Sequence, residues 1–184
     1  MIANSTNSVE LAATIVYSLG VCMMFGFSAL YHRVEWKARV LILMQKLDHS
    51  AIFVMIAGSF TPICLLVLPG DTGIQLLFII WIIAGIGILQ TMLFTQTPRL
   101  VRAGIYLVAG YMAIPYLSVM FSVMSMTNFT LTAAGGTVYT VGAIGYGFKF
   151  PDISPQYFGY HEFFHILVSI AAVLHFIVIY SIVG

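Results

Sequence analysis

Residues 157–183 read YFGYHEFFHILVSIAAVLHFIVIYSIV. Beyond His165 this stretch holds no Asp, Glu, Lys or Arg, and a helix needs only about 20 apolar residues to cross a hydrocarbon core of roughly 30 Å. It therefore reads as a membrane-spanning helix, here called helix F, covering Tyr157 to Val183. The rest of the chain follows the same composition. Hydrophobic residues make up 61% of the 184 residues and charged residues 7%, with a mean hydropathy of +1.04, against roughly 25% charge in a soluble domain. No water-facing surface can be assembled from that inventory, so the outer surface must face lipid.

Working outward from helix F, the same criterion finds five more spans separated by short polar or Pro/Gly breaks. Helix A covers Leu11 to His32, helix B Leu47 to Leu68, helix C Ile74 to Phe94, helix D Ala103 to Val123 and helix E Leu131 to Phe148. The runs are continuously apolar, without the alternation of a lumen-facing barrel strand. The expected fold is an all-α integral membrane bundle of about six helices, forming a single domain over residues 1–184. Gly135, Gly136, Gly142 and Gly145 in helix E, and Gly85 and Gly87 in helix C, are expected where helices approach closely.

The N-terminus has no basic residue before its first apolar run and reads as no cleaved signal peptide. Cys22 and Cys64 lie inside apolar runs and read as small core residues rather than a disulfide or thiolate site. A net charge of +1 points to no nucleic-acid partner. The triplets beginning at Asn4 and Asn128 match a glycosylation pattern by chance.

Basic residues set the orientation. Arg33, Lys37, Arg39 and Lys46 fall at the A/B connection, Arg99 and Arg102 at C/D and Lys149 at E/F, all on one side of the membrane. The positive-inside rule makes that side cytoplasmic and puts both termini outside. The end of helix A and the starts of helices B and F then share the cytoplasmic leaflet, and those ends carry His32, Asp48, His49, His161, Glu162 and His165.

Ionisable groups in spans are expensive and face a bundle interior with a partner. His161 and His165 lie four residues apart, which stacks both imidazoles on one helix face about 6 Å apart along the axis. That spacing suits two ligands of one metal ion, and His32 offers a third at the same depth. Three histidines with an open fourth position make a catalytic zinc site, in which Asp48 is placed to hold or deprotonate a water. Ser28, one turn before His32, faces the same cavity. Duller readings stand beside these: the histidines as interfacial polar groups, Asp48 as the N-cap of helix B or a partner of Arg39 or Lys46, and Ser28 as a packing residue. His49 and Glu162 point about 100° away from their neighbours, and His175 lies roughly 15 Å along helix F from His165. None of these three can share the ion.

Four stretches carry a resemblance: Ser28-Ala-Leu-Tyr-His32, the run from Lys46 to Pro62, Gly135 to Ala143, and Phe158-Gly-Tyr-His-Glu-Phe-Phe-His165. Together the chain resembles, from Val16 to Tyr180, the bacterial hemolysin III branch of the progestin and adipoQ receptor family. That resemblance implies a seven-helix bundle with zinc held by His32, His161 and His165, Asp48 touching the zinc-bound water, and Ser28 as the serine of the Ser-x-x-x-His motif. It also implies an additional helix before helix A, for which this chain has no room, so the N-terminus is expected outside rather than inside.

Three functions follow as expectations. The first is a zinc-dependent hydrolase of lipid amide or ester bonds, with the ceramidase activity attributed to adiponectin receptors as the analogue, and with Asp48 and Ser28 as catalytic residues and membrane lipids as partners. The second is a non-catalytic lipid sensor with structural zinc. The third is a pore-forming hemolysin, disfavoured because no amphipathic stretch is available to line a wide channel. Residence in a bacterial plasma membrane goes with all three.

Overall fold

The computed structural model describes residues 1–2, 5, 7–94, 96–152, 154 and 158–183. Among them the chain is helical, with one isolated antiparallel bridge between Ser154 and Phe158. The seven α-helices are α1 (Ser8–Arg33), α2 (Ala38–Leu66), α3 (Gly70–Leu93), α4 (Arg99–Tyr111), α5 (Leu117–Val123), α6 (Met126–Phe148) and α7 (Tyr160–Val183). The fold class read from the sequence is therefore the observed one. Five segments are long and apolar enough to cross a membrane: α1, α2, α3, the stretch Arg99–Val123, and α7.

The remaining long helix, α6, is rich in threonine, and four of its threonine hydroxyls are paired within the helix. Thr130, Thr132, Thr137 and Thr140 each donate to the carbonyl four residues back, at 2.7–2.9 Å. A hydroxyl satisfied by its own helix adds little to the cost of leaving water.

Two compact units divide the chain, Met1–Gln96 with Ile182–Gly184, and Thr97–Ser181. In the first, α1 and α2 run antiparallel at close range. A Cβ on Gly20 would lie 3.3 Å from the Val54 carbonyl oxygen, and one on Gly58 3.3 Å from that of Val16. Tyr17 and Met55 lie at this crossing and are buried. On the other side of α2, Phe53 fills the space over Gly87 of α3, and the backbone of Cys64 fills that over Gly73. Helix α2 is thus the core of this unit. Trp81 of α3 ties on with an indole N–H to the Thr61 hydroxyl at 3.1 Å.

In the second unit α6 is central. Leu100 and Ala103 of α4 pack over Gly147, while α7 lays Leu167 and Phe164 over Gly142 and His175 over Gly135. The imidazole of His175 lies 3.3 Å from the Thr132 carbonyl and edge-on to Tyr139. Ser125 caps the start of α6 by accepting from the Asn128 amide, and Lys149 ends the helix in the left-handed region at φ 57°.

Three sequence expectations are corrected. Helix B starts at Ala38, not Leu47, because residues 38–45 hold no Gly or Pro and are mostly good helix formers, Arg39 included. At 29 residues α2 is about 43 Å long, more than the hydrocarbon requires. Helix D is broken: α4 ends at Tyr111, a 3₁₀ turn covers Ile114–Tyr116, and α5 follows. Pro115 has no N–H to continue the ladder and its ring crowds the preceding turn. Gly85 and Gly136 have open space where a side chain would stand, whereas Gly87, Gly135, Gly142 and Gly145 are close-packed. The start of helix F at Tyr157 and the triplet at Asn4 fall outside the described residues.

Adjacent glycines of α6 give a direct check. A Cβ on Gly135 would run into the His175 ring, and one on Gly136 would meet nothing within 4 Å. Gly135→Ala is expected to destabilise by about 1–3 kcal/mol through overpacking, and Gly136→Ala to be neutral or stabilising. Thermal unfolding in detergent micelles checks both.

Candidate metal centre

The site is built from helix ends. His161 and His165 occupy the first two turns of α7, where four-residue spacing brings Nε2 of one ring to 3.0 Å from Nε2 of the other. The rings meet edge-on, with centroids 4.6 Å apart and planes at 81°. Two neutral imidazoles at that distance share one proton or one cation. The turn beneath them is closed locally: the Gly159 amide donates to the Glu162 carboxylate at 2.9 Å, and the Phe163 amide to the Gly159 carbonyl at 3.1 Å. Glu162 is thereby committed to the helix start.

His32 is the penultimate residue of α1 and is exposed, edge-on to Tyr31 with centroids 4.6 Å apart. The turn after it is held by Trp36, whose indole N–H donates to the Leu30 carbonyl at 2.8 Å. His161 and His165 belong to the second compact unit, whereas His32, the third histidine of the expected set, belongs to the first. Around a tetrahedral zinc with N ligands at about 2.0–2.1 Å, neighbouring nitrogens stand roughly 3.3 Å apart. The His161–His165 pair, with Nε2 atoms 3.0 Å apart, fits two positions of such an ion in spacing and in chemistry.

Asp48 and Ser28 lie on the adjacent helices α2 and α1, both half-buried. From the crossing of Gly20 with Met55, Ser28 lies about 12 Å and Asp48 about 10.5 Å toward the connecting turn, at 1.5 Å per residue. They therefore sit at nearly one depth. His32, by the same count, lies about 18 Å from the crossing, one to two turns closer to the connection. This corrects the expectation that Asp48 opens its helix: the N-cap of α2 is Lys37, and Asp48 stands in the helix interior. Lys46, offered as a partner for Asp48, directs an ammonium proton to the Met92 carbonyl at the end of α3.

His175 is placed by Thr132 and Gly135, away from the pair at the start of α7. Sequence reasoning passed over three neighbours of that pair. Tyr146 of α6 lies with its ring centroid 5.9 Å from that of His161, Tyr160 lies at 6.4 Å, and Arg99 of α4 donates to the Tyr160 hydroxyl at 2.7 Å. Arg99 had been counted only as a loop charge, and the tyrosines as span residues. An arginine opening an apolar helix was the available signal.

Comparison with known proteins agrees with the architecture. The family described as haemolysin-III related matches residues 1–176. A Hemolysin-3 homolog of Bacillus subtilis (strain 168) is 31% identical over 147 residues, covering 80% of this chain and 68% of that protein. Hemolysin-3 of Bacillus cereus is 36% identical over 143 residues, covering 77% and 64%. The human monocyte to macrophage differentiation factor is 28% identical over 170 residues, covering 90% and 68%. The chain thus spans about two thirds of the length of these relatives. A family match over nearly every residue, on a chain of long apolar helices, makes this chain a member of the haemolysin-III related family of integral membrane proteins.

Proposed function

We propose that the protein is a zinc-dependent hydrolase of amide or ester bonds in membrane lipids. The observation that carries the reading is the pair of imidazoles at the start of α7, His161 and His165, whose Nε2 atoms lie 3.0 Å apart, in a chain with almost no charge to spare. Zinc, when bound, would supply Lewis acidity and bring the pKa of a coordinated water down to about 7. His32, His161 and His165 would hold it as neutral ligands. Asp48 would take the proton from the attacking water and return it to the leaving group. Ser28, at nearly the same depth on the adjacent helix, would donate its hydroxyl proton to the oxygen on which negative charge develops.

A half-buried carboxylate in an apolar helix fits this role better than a capping role, since the start of α2 lies ten residues earlier. The substrate would reach the site from the leaflet in which the basic residues lie, which the positive-inside rule makes the cytoplasmic one. The fitting location is a bacterial plasma membrane, in keeping with the two Bacillus relatives.

Purified protein is expected to carry one zinc per chain by elemental analysis, and the double variant His161→Ala/His165→Ala to carry none and to have lost lipid turnover. Full turnover in that variant would remove the hydrolase reading. Asp48→Ala separates catalysis from a purely structural zinc. It is expected to retain the metal while turnover of an amide- or ester-linked lipid falls by about 10²–10⁴-fold, the usual contribution of a general base. Unchanged function with zinc retained would instead favour a sensor.

A further inference from the structure

The first turn of α7 is an awkward place for a metal ligand. His161 is the second residue of the helix, and the first four amides of any helix lack intrahelical acceptors, so this turn opens most readily. Gly159 and Glu162 close it from within. Arg99, at the start of α4, reaches it from another helix. Its guanidinium donates to the Tyr160 hydroxyl at 2.7 Å and lies 5.1 Å from the Tyr160 ring centroid and 5.8 Å from that of Tyr146. Tyr146 in turn packs against His161 and, at 5.0 Å, against Phe164.

The position of Arg99 is itself informative. It is the first residue of α4, at the positive end of the helix dipole, where a cation is disfavoured. A cation kept there is held by something else, and the two tyrosines supply it: one hydrogen bond and two aromatic faces, which a planar guanidinium can use together and an ammonium cannot.

We propose that Arg99 is a positioning residue for the metal centre: it anchors Tyr160, and with Tyr146 holds the His161 ring in the orientation in which it faces His165. Its relevance to catalysis rests on the zinc reading given above; the positioning itself does not. His165, one regular turn further along, is held by the helix ladder and needs no such support.

Two readouts on the full-length chain in detergent keep the two ideas apart. The first is hydrogen exchange at the amides of Phe163, Phe164 and His165, which close the opening turns of α7. The second is zinc affinity by competition with a chromogenic chelator. Arg99→Ala is expected to speed exchange at these amides by about tenfold and to weaken zinc by about 10–100-fold, the range for losing a group that orients a ligand. Tyr160→Phe removes only the hydroxyl and should reproduce part of both effects. The double variant should be no worse than Arg99→Ala, because both act through one contact. Arg99→Lys should fail to restore either readout. Exchange unchanged from wild type in both Arg99→Ala and Tyr160→Phe would overturn the proposal. Should the wild-type chain hold no zinc, the metal reading falls, and the Arg99 proposal stands or falls on the exchange rates alone.

Discussion

Hydrocarbon offers no hydrogen-bond partner, and that single constraint shapes this protein at every scale. Each backbone N–H and C=O must find its partner within the chain, which leaves helices as the structure available to a sequence without barrel periodicity. The same requirement extends to side chains. Threonines of α6 turn back on their own carbonyls, Ser59 and Thr61 of α2 do likewise, and His175 meets the Thr132 carbonyl in the gap over Gly135. Several of the polar groups within the helices are satisfied locally in this way, and the imidazole pair at the start of α7 stands out beside them.

Two of the five histidines of the chain, His161 and His165, bring ring nitrogens to 3.0 Å from each other. Converging imidazoles is unfavourable in itself, since each gives up water. A shared cation would compensate by bonding to both at once. Helix ends suit the purpose: His32 stands near the end of α1 and the pair near the start of α7, while the bodies of both helices remain apolar. The arrangement also divides labour. The proposed ligands sit at the ends of helices, whereas Asp48 and Ser28 lie further into the packed pair α1 and α2.

Much of this was legible from residue order alone, because hydropathy is a first-order signal in a membrane protein and four-residue spacing is a direct statement about a helix face. The extents of α1, α3 and α7 follow from the lengths of apolar runs. What the sequence concealed was governed by second-order terms. The charge of Arg39 and Lys46 suggested a loop, but long basic side chains on apolar stems can reach the interface from within a helix, so α2 begins at Ala38. The apolar run through helix D hid the break that Pro115 imposes. Neighbouring glycines look identical in sequence, yet Gly135 faces His175 and Gly136 faces open space; only the rotation of α6 distinguishes them. Arg99 was missed for a related reason, because its partners Tyr146 and Tyr160 are distant in sequence and join it only through packing.

The central claim is that three imidazoles hold one zinc ion. X-ray absorption at the zinc edge of the purified protein tests it without requiring a substrate. The account predicts a four-coordinate ion with three nitrogen ligands at about 2.0–2.1 Å and one oxygen in the open position. A sulfur shell near 2.3 Å, a coordination sphere made only of oxygen, or the absence of zinc from active protein would contradict it.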